Sequence, residues 1–223
     1  MPNSAPSVDA FKEAVAWWRA RVPVTDEEFQ QLTEDLQPLA FRVSAATEAD
    51  MVTQVYQAID SAIANGDSFE TFKENITDQL GESWADDAPS LETTFRTNVM
   101  SAYSAGRYEI ASDPDVRETH PMSRYDVIED DRTCDICAPL DGVIRPAEEW
   151  TGKIPPLHYN CRCILTPLTD DDAQKEGMAS SIPDTDVDEG FGNPERGTAW
   201  TTDVSSYPPE IQSLLERRIS DDE

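Results

Sequence analysis

The sequence predicts an α+β fold: an N-terminal helical bundle, then a small zinc-clipped antiparallel sheet, then an extended acidic C-terminal arm. Three observations lead to this prediction. Apolar residues recur at helical spacing up to about residue 111. Beyond Pro114 they alternate as in strands. All four cysteines and one of the two histidines fall within the segment 134–163, which is a composition typical of a metal site.

The N-terminal segment, residues 1–38, is predicted to form a helical arm. A first helix over residues 8–22 ends at Pro23, which cannot donate the next backbone hydrogen bond. Thr25 and Glu28 then form a capping box, in which each side chain accepts from the other residue's backbone N–H. We expect the second helix to continue to Pro38.

A central domain is predicted over residues 39–168, with helices over 48–111 and a zinc-bound β region over 123–168. Capping residues mark the starts of its first two helices, and glycines mark their ends. A proline precedes the third helix. The expected limits are Thr47 to Asn65-Gly66, Ser68 to Gly81, and Leu91 to about Ala111.

Three short strands are expected in the β region. A sheet of this size is too small to be stable alone, so a bound metal would contribute much of its folding free energy. The predicted strands are Ser123 to Ile128, Gly142 to Ile144, and Cys161 to Leu165.

The candidate metal ligands are Cys134, Cys137, His158, Cys161 and Cys163. The first two cysteines, two residues apart, can form a knuckle that presents both thiolates to one tetrahedral ion, for which zinc is the default. The favoured set is the two knuckle cysteines with two of the other three residues. The site is expected to be structural, because the sequence contains no pattern typical of a catalytic zinc.

Two other states of the cysteines remain open. Two disulfides are one, although pairs this close in sequence rarely bridge within themselves and nothing else indicates secretion. Reduced thiols without metal are the other.

The chain is strongly acidic, with 17 Lys and Arg against 45 Asp and Glu and a net charge of −28. Such a surface is typical of proteins that work in multimolar salt, so a halophilic host is predicted; an ordinary acidic protein is the alternative. General DNA binding is not expected because basic clusters are lacking. Any DNA contact is expected to be weak or indirect, and it would involve Arg132, Arg145 or Arg162 near the metal site.

The ends of the chain show neither a signal peptide nor a membrane span, so a soluble, non-secreted protein is expected. Residues 169–223 are predicted to form an acidic linker followed by an amphipathic helix that begins at Pro208. Such a helix folds back on its own domain or docks in a groove of a partner.

Several motifs occur in a fixed order around the cysteines. They are Asp131-Arg132-Thr133-Cys134 with Cys137, Leu140-Asp141-Gly142, Pro155-Pro156-Leu157-His158 with Asn160-Cys161-Arg162-Cys163, and, upstream, Arg96-Thr97-Asn98 and Ala102-Tyr103 with Ala105-Gly106-Arg107. Together they resemble the phage head morphogenesis family, the minor head proteins similar to the F protein of phage Mu. The resemblance spans roughly residues 39–168.

The resemblance implies a non-enzymatic structural protein of a tailed-virus head, assembled in the host cytoplasm and present in the virion. Its expected partners are the portal or the major capsid protein, with homo-oligomeric contacts possible and no membrane. Its expected role is in head morphogenesis and genome packaging or delivery.

Other functions stay open. One is a zinc-dependent nuclease, for which His120 is the remaining histidine once His158 binds metal. An ADP-ribosyl transferase-related head protein and a cellular zinc-ribbon interaction protein are further alternatives. Arg96, beside the apolar stripe of its helix, indicates a half-buried ion pair, or a catalytic arginine as the sharper alternative.

Overall fold

The computed structural model of the protein describes residues 8–32, 37–43, 49–81, 88–193 and Gln212. The chain forms two compact units. One comprises Met1–Val15 and Pro89–Glu195, and the other Ala16–Ala88 and Arg196–Glu223. The predicted domain limits, 1–38, 39–168 and 169–223, stay predictions.

The described residues form helices, short strands and 3-10 turns. The helices are α1 Val8–Arg19, α2 Asp26–Phe29, α3 Ala49–Asn65, α4 Phe69–Leu80, α5 Ala88–Ser112, α6 Pro114–Thr119 and α7 Asp170–Glu176. The strands are β1 Val22–Pro23, β2 Ala40–Phe41, β3 Met122–Asp126, β4 Ile144–Pro146 and β5 Ile164–Leu168.

The core of the unit that contains α3 and α4 is built from their apolar faces. Val55, Ile59 and Ile63 lie one turn apart on α3 and are fully buried, since each has 0 % exposure. Trp18 stacks on Tyr56 with ring centroids 4.9 Å apart. Aromatic burial of this kind anchors α3 against the C-terminal end of α1.

The predicted caps of this unit are confirmed. The Glu28 backbone N–H donates to Thr25 Oγ1 at 3.3 Å, and the Thr25 N–H donates to Glu28 Oε2 at 2.7 Å. Ser68 caps α4 by accepting from the Thr71 N–H at 3.3 Å. The helix ends at Gly81, whose φ of +87° suits a residue without a side chain.

The predicted extents of the first two helices are wrong. Helix α1 ends at Arg19 rather than Val22, because Val22 precedes a proline, is pushed to extended backbone, and pairs in parallel with Ala40. Helix α2 ends at Phe29, and a 3-10 turn over Gln37–Leu39 leads into β2. Residues 33–36 lie outside the described part of the chain.

The other unit contains the longest helix, α5, where it was predicted, and a three-stranded antiparallel sheet in the order β4-β3-β5. Two predicted strands are shifted along the chain. The Val143 N–H bonds to Leu140 O and the Cys161 N–H to His158 O, so these backbones close turns and the ladders start later, at Ile144 and Ile164.

The prediction of an extended linker from Thr169 is wrong for residues 169–193. Thr169 caps α7, with the Asp172 N–H donating to its Oγ1 at 3.2 Å, and aspartates in the first turn favour the helix dipole. Further on, Ile182 and Val187 pack against the core. The predicted helix at Pro208 lies outside the described residues, apart from Gln212.

The mixed composition of helices and a small antiparallel sheet is therefore confirmed. The bundle arrangement of the helices stays a prediction. In the described ranges, no helix combines the length and apolar character needed to cross a bilayer.

Candidate metal centre

The five predicted ligands lie together in two overlapping groups. Cys134, Cys137 and His158 form one group, and Cys137, Cys161 and Cys163 the other. Within each group the ligand atoms lie within 4.8 Å of one another. Cys137, which belongs to both and is 1 % exposed, is the centre of the cluster.

The first two cysteines form the predicted knuckle. The Cys137 N–H points at Cys134 Sγ at 3.4 Å, and the Ala138 N–H bonds to Cys134 O at 3.0 Å. This turn aims both thiols to one side.

His158 approaches both thiols of the knuckle with the same ring nitrogen. Its Nε2 lies 3.0 Å from Cys134 Sγ and 3.2 Å from Cys137 Sγ. Its Nδ1 lies 2.7 Å from Tyr159 O. A proton on Nδ1 donates to this carbonyl and leaves the Nε2 lone pair free, the arrangement that orients histidine ligands in metal sites.

Cys161 and Cys163 approach from the segment that leads into β5. The Cys161 Sγ lies 3.9 Å from Cys137 Sγ. Hydrogen bonding with the thiols of Cys137 and Cys163 lowers the pKa of Cys161. The pKa of Cys137 is correspondingly raised, first because it donates to Cys161.

One of these distances matches a tetrahedral ion with nitrogen and sulfur ligands, although Cys161 and Cys163 lie outside the group of Cys134, Cys137 and His158. Zinc bonds of about 2.3 Å to sulfur and about 2.05 Å to nitrogen separate two sulfurs by roughly 3.8 Å and a sulfur from a nitrogen by roughly 3.6 Å. The Cys137 and Cys161 sulfurs match the first value. The His158 contacts are a few tenths of an ångström shorter than the second, so a small outward shift would admit the ion.

An ion pair joins the two ligand loops. Arg162, between Cys161 and Cys163, bonds to Asp130 through Nη1 to Oδ2 at 2.7 Å and Nη2 to Oδ1 at 2.5 Å. Hydrogen bonds from Arg162 and from the Arg132 backbone hold the pKa of Asp130 well below its usual range. The pair therefore fixes one loop relative to the other, and the Arg162 guanidinium is occupied by a carboxylate of its own chain.

The second ligand loop is docked on α5. The Asn160 N–H donates to Thr97 Oγ1 at 3.1 Å, and its Nδ2 donates to Thr93 Oγ1 at 3.0 Å. Asn160 has a φ of +58°, a left-handed conformation that asparagine tolerates better than most residues. Further along the helix, Ser104 Oγ donates to Pro155 O.

These docking residues were missed as site residues, although Thr97 and Asn160 stand inside the quoted motifs. The available signal was the asparagine beside a cysteine pair, a residue type favoured at left-handed positions. Its partners on α5 are far away in sequence, so their role depends on the tertiary fold.

A compact apolar core surrounds the cluster. Tyr125 and Trp150 are 0 % exposed with ring centroids 5.5 Å apart, and Tyr125 Oη lies 3.6 Å from Cys137 Sγ. Burial, followed by the nearby cysteines, raises the pKa of Tyr125. The cluster is thus shielded on this side from water.

A segment after α7 returns to cover the second loop. The Asp188 N–H donates to Leu157 O at 3.0 Å, the Gly192 N–H to Pro156 O at 3.0 Å, and the Ile154 N–H to Gly192 O at 3.1 Å. We call residues 182–192 the strap. Its residues Ile182 and Val187 pack against the core that contains Cys137, Cys161 and Cys163. The sequence had predicted a linker here, without such contacts.

The residues behind the enzymatic alternatives lie apart from the ligand groups. His120 ends α6, donates its N–H to Val116 O at 2.7 Å and belongs to neither ligand group of the described residues. Arg96 forms the half-buried ion pair that was predicted, with Nε 2.6 Å from Glu92 Oε1. Arg145 pairs with Glu149 at 2.6 Å.

Comparison with known proteins identifies the family. The model of the family described as Phage Mu protein F like protein matches residues 53–166. The putative capsid assembly protein F of Escherichia phage Mu is 28% identical over 179 residues, which are 71% of this chain and 40% of that protein. The Mu-like prophage FluMu F protein of Haemophilus influenzae (strain ATCC 51907 / DSM 11121 / KW20 / Rd) is 29% identical over 176 residues, 72% of this chain and 42% of that protein.

The chain therefore spans about two fifths of the length of these curated relatives. No solved structure matches it. The match to the family model covers the helices α4 and α5, the three-stranded sheet and all the candidate ligands. It confirms the resemblance drawn from the motifs, and the chain belongs to the family of phage Mu protein F like proteins.

Proposed function

We propose that the chain is a structural, non-enzymatic minor head protein of a tailed virus, present in the virion and acting in head morphogenesis. The observation that carries this proposal is its family membership together with a relative named as a putative capsid assembly protein. The cysteine cluster supports this proposal, since three of its four cysteines are buried and the sulfurs of Cys137 and Cys161 are in hydrogen-bond contact. Buried ligands are typical of a structural metal site.

Finer features of this role belong to the same proposal. The partners would be the portal or the major capsid protein, with DNA contact weak or indirect, and the role would extend to genome packaging or delivery. The pairing of Arg145 and Arg162 with carboxylates of their own chain supports a minor part for DNA. The net charge of −28 supports a halophilic host.

The metal in this proposal is a structural zinc. Cys134, Cys137 and His158 would supply three ligands. Cys161, whose sulfur lies 3.9 Å from that of Cys137, would supply the fourth after moving towards Cys134 and His158, since it lies outside their group. Cys163 would remain a buried thiol beside the site. A bound zinc contributes on the order of 10 kcal/mol to folding in small domains.

Head morphogenesis is tested in the virus or prophage that encodes the chain. We expect that removing the chain, or introducing Cys137→Ser, stops the production of infectious heads, and that the wild-type chain is found in purified virions by mass spectrometry. Arg132→Gln, at an exposed residue in the same loop, is the matched control and should assemble normally. Normal yields of infectious particles without the chain would refute the proposal.

Zinc is tested separately on the purified protein in high salt. Elemental analysis should give about one zinc per chain for the wild type and for Cys163→Ser, and a loss for Cys137→Ser and Cys161→Ser. Circular dichroism should show the accompanying loss of structure. If the wild-type protein contains no metal and the circular dichroism spectrum of Cys137→Ser equals that of the wild type, the zinc proposal is refuted and the cysteines are buried thiols. The test of head morphogenesis does not depend on this result.

A further inference from the structure

A partly enclosed cavity separate from the cysteine cluster lies between α5, α6 and the sheet. The centre of a water-sized sphere can occupy about 30 Å³ within it, which is more than a single water needs, and the cavity is partly open to solvent. Its polar lining comes from Arg107, Arg117, Ser104 and Ser123, and apolar side chains such as Ile154 complete the wall. Of the described residues that line it, none is acidic.

The two arginines of this cavity differ from most others in the chain. Six of the other described arginines bond to a carboxylate at 3.0 Å or less; these are Arg19, Arg42, Arg96, Arg124, Arg145 and Arg162. Arg132 lies 3.8 Å from Asp130. Across the ranges that the structure describes, no ion pair involves Arg107 or Arg117. In a chain with 45 acidic and 17 basic residues, a cavity wall with two arginines and no carboxylate is unusual.

Arg117 also has an unmet hydrogen-bond donor. Its Nε is shielded from solvent and has no partner, while its Nη2 reaches only Ser112 Oγ, at 3.4 Å. Buried donors of charged groups are nearly always satisfied, so a guanidinium N–H without a protein partner beside a cavity calls for a partner there, either a water or an anion. The guanidinium fork matches the geometry of an oxyanion better than that of a water.

We propose that this cavity is an oxyanion site that binds phosphate, held by the guanidinium groups of Arg107 and Arg117. Free phosphate and a small phosphate monoester share the required chemistry. The cavity is too small for a nucleotide or a duplex backbone, so the site is distinct from a DNA-binding surface. Its ligand would neutralise two adjacent positive charges and link α5, α6 and the sheet.

Phosphate binding is tested on the full chain at constant ionic strength. Sodium phosphate should raise the melting temperature above that in sodium chloride of equal ionic strength, and calorimetric titration should give a saturable site. Arg117→Gln and Arg107→Gln should each weaken binding about tenfold or more, as expected for the loss of charge-assisted hydrogen bonds. Arg132→Gln, which changes an exposed arginine, should bind as the wild type does.

A second readout needs no variant. The Arg117 Nε–H resonance should shift when inorganic phosphate is added, and a titration with glycerol 3-phosphate shows whether a monoester enters as well. A shift with acetate but not with phosphate would overturn the assignment to phosphate. The same melting response in Arg117→Gln as in the wild type, or no response of the resonance, would overturn the site itself.

Discussion

At the scale of single residues, the site depends on side chains that hold the ligand loops rather than on the ligands alone. Arg162 was a candidate for a DNA contact on the basis of its charge, yet it bonds through both terminal nitrogens to Asp130. Such bidentate pairs fix geometry more strongly than a single contact does. The position of this arginine between two cysteines therefore serves the loop itself.

The pH dependence of stability should report this pair. Because the pKa of Asp130 is lowered by folding, its contribution is present above its unfolded value of about 3.9 and is lost as pH falls through the lower folded pKa. Asp130→Asn should therefore be less stable than the wild type at pH 6, and the difference should shrink as pH falls below about 3.9 and vanish only below the folded pKa. Urea unfolding measures the difference. A difference in the free energy of unfolding that stays constant with pH would contradict the role of this ion pair. An equal difference in the neighbouring variant Asp131→Asn would contradict it as well.

Asn160 gives a second prediction at this scale. Asn160→Ala loses the side-chain bond to Thr93 and places an alanine at a φ of +58°, for an expected cost of about 2 kcal/mol. Asn160→Gly loses the same bond but tolerates the backbone, so it should cost about 1 kcal/mol less than the alanine. Denaturant unfolding of both variants separates the two terms. Equal losses would mean that the left-handed backbone carries no cost.

At the scale of elements, the strap depends on a close approach of two backbones. A Cβ at Gly192 would lie 2.3 Å from Gly152 O, whereas a Cβ at Gly190 would meet nothing within 4 Å. Both glycines have positive φ, at +81° and +88°. Backbone conformation favours glycine at both positions, and at Gly192 the packing also leaves no room for a side chain.

Gly192→Ala should consequently be the more destabilising change. Both substitutions pay roughly 1 kcal/mol for the positive φ, and Gly192→Ala should cost at least about 1 kcal/mol more because a backbone oxygen must move. Thermal unfolding of the two variants gives the comparison, and amide exchange at Ile154 reports whether the strap has opened. If Gly190→Ala proved equally costly, the close approach would not hold the strap.

At the scale of the whole molecule, features that depend on residues close in sequence were predicted correctly more often than features that depend on distant residues. Caps such as Thr25, Ser68 and Gly81 were correct because they depend on residues three or four positions away. The five candidate ligands were predicted to lie together and they do, because rare residue types carry that signal, whereas their binding of a metal stays a prediction. The shifted strands and α7 were missed because turn hydrogen bonds and packing at Ala173 override composition. The contact of Asn160 with Thr97 had no local signal.

The charge of −28 leads to a prediction about the molecule as a whole. Repulsion among exposed carboxylates opposes the compact state, and it is screened as the Debye length falls from about 10 Å at 0.1 M salt to about 3 Å at 1 M. The free energy of unfolding should therefore rise with sodium chloride, most steeply below 1 M.

Urea unfolding at fixed pH across this salt range measures the free energy of unfolding. Urea is suitable because it is uncharged and does not change the ionic strength. Preferential exclusion of salt also stabilises proteins, but it keeps increasing with concentration, whereas screening levels off. A curve that levels off near 1 M supports repulsion as the cause. Stability that is flat or falls with salt would show that the acidic surface imposes little cost, and the argument for a halophilic host would then lose its physical basis.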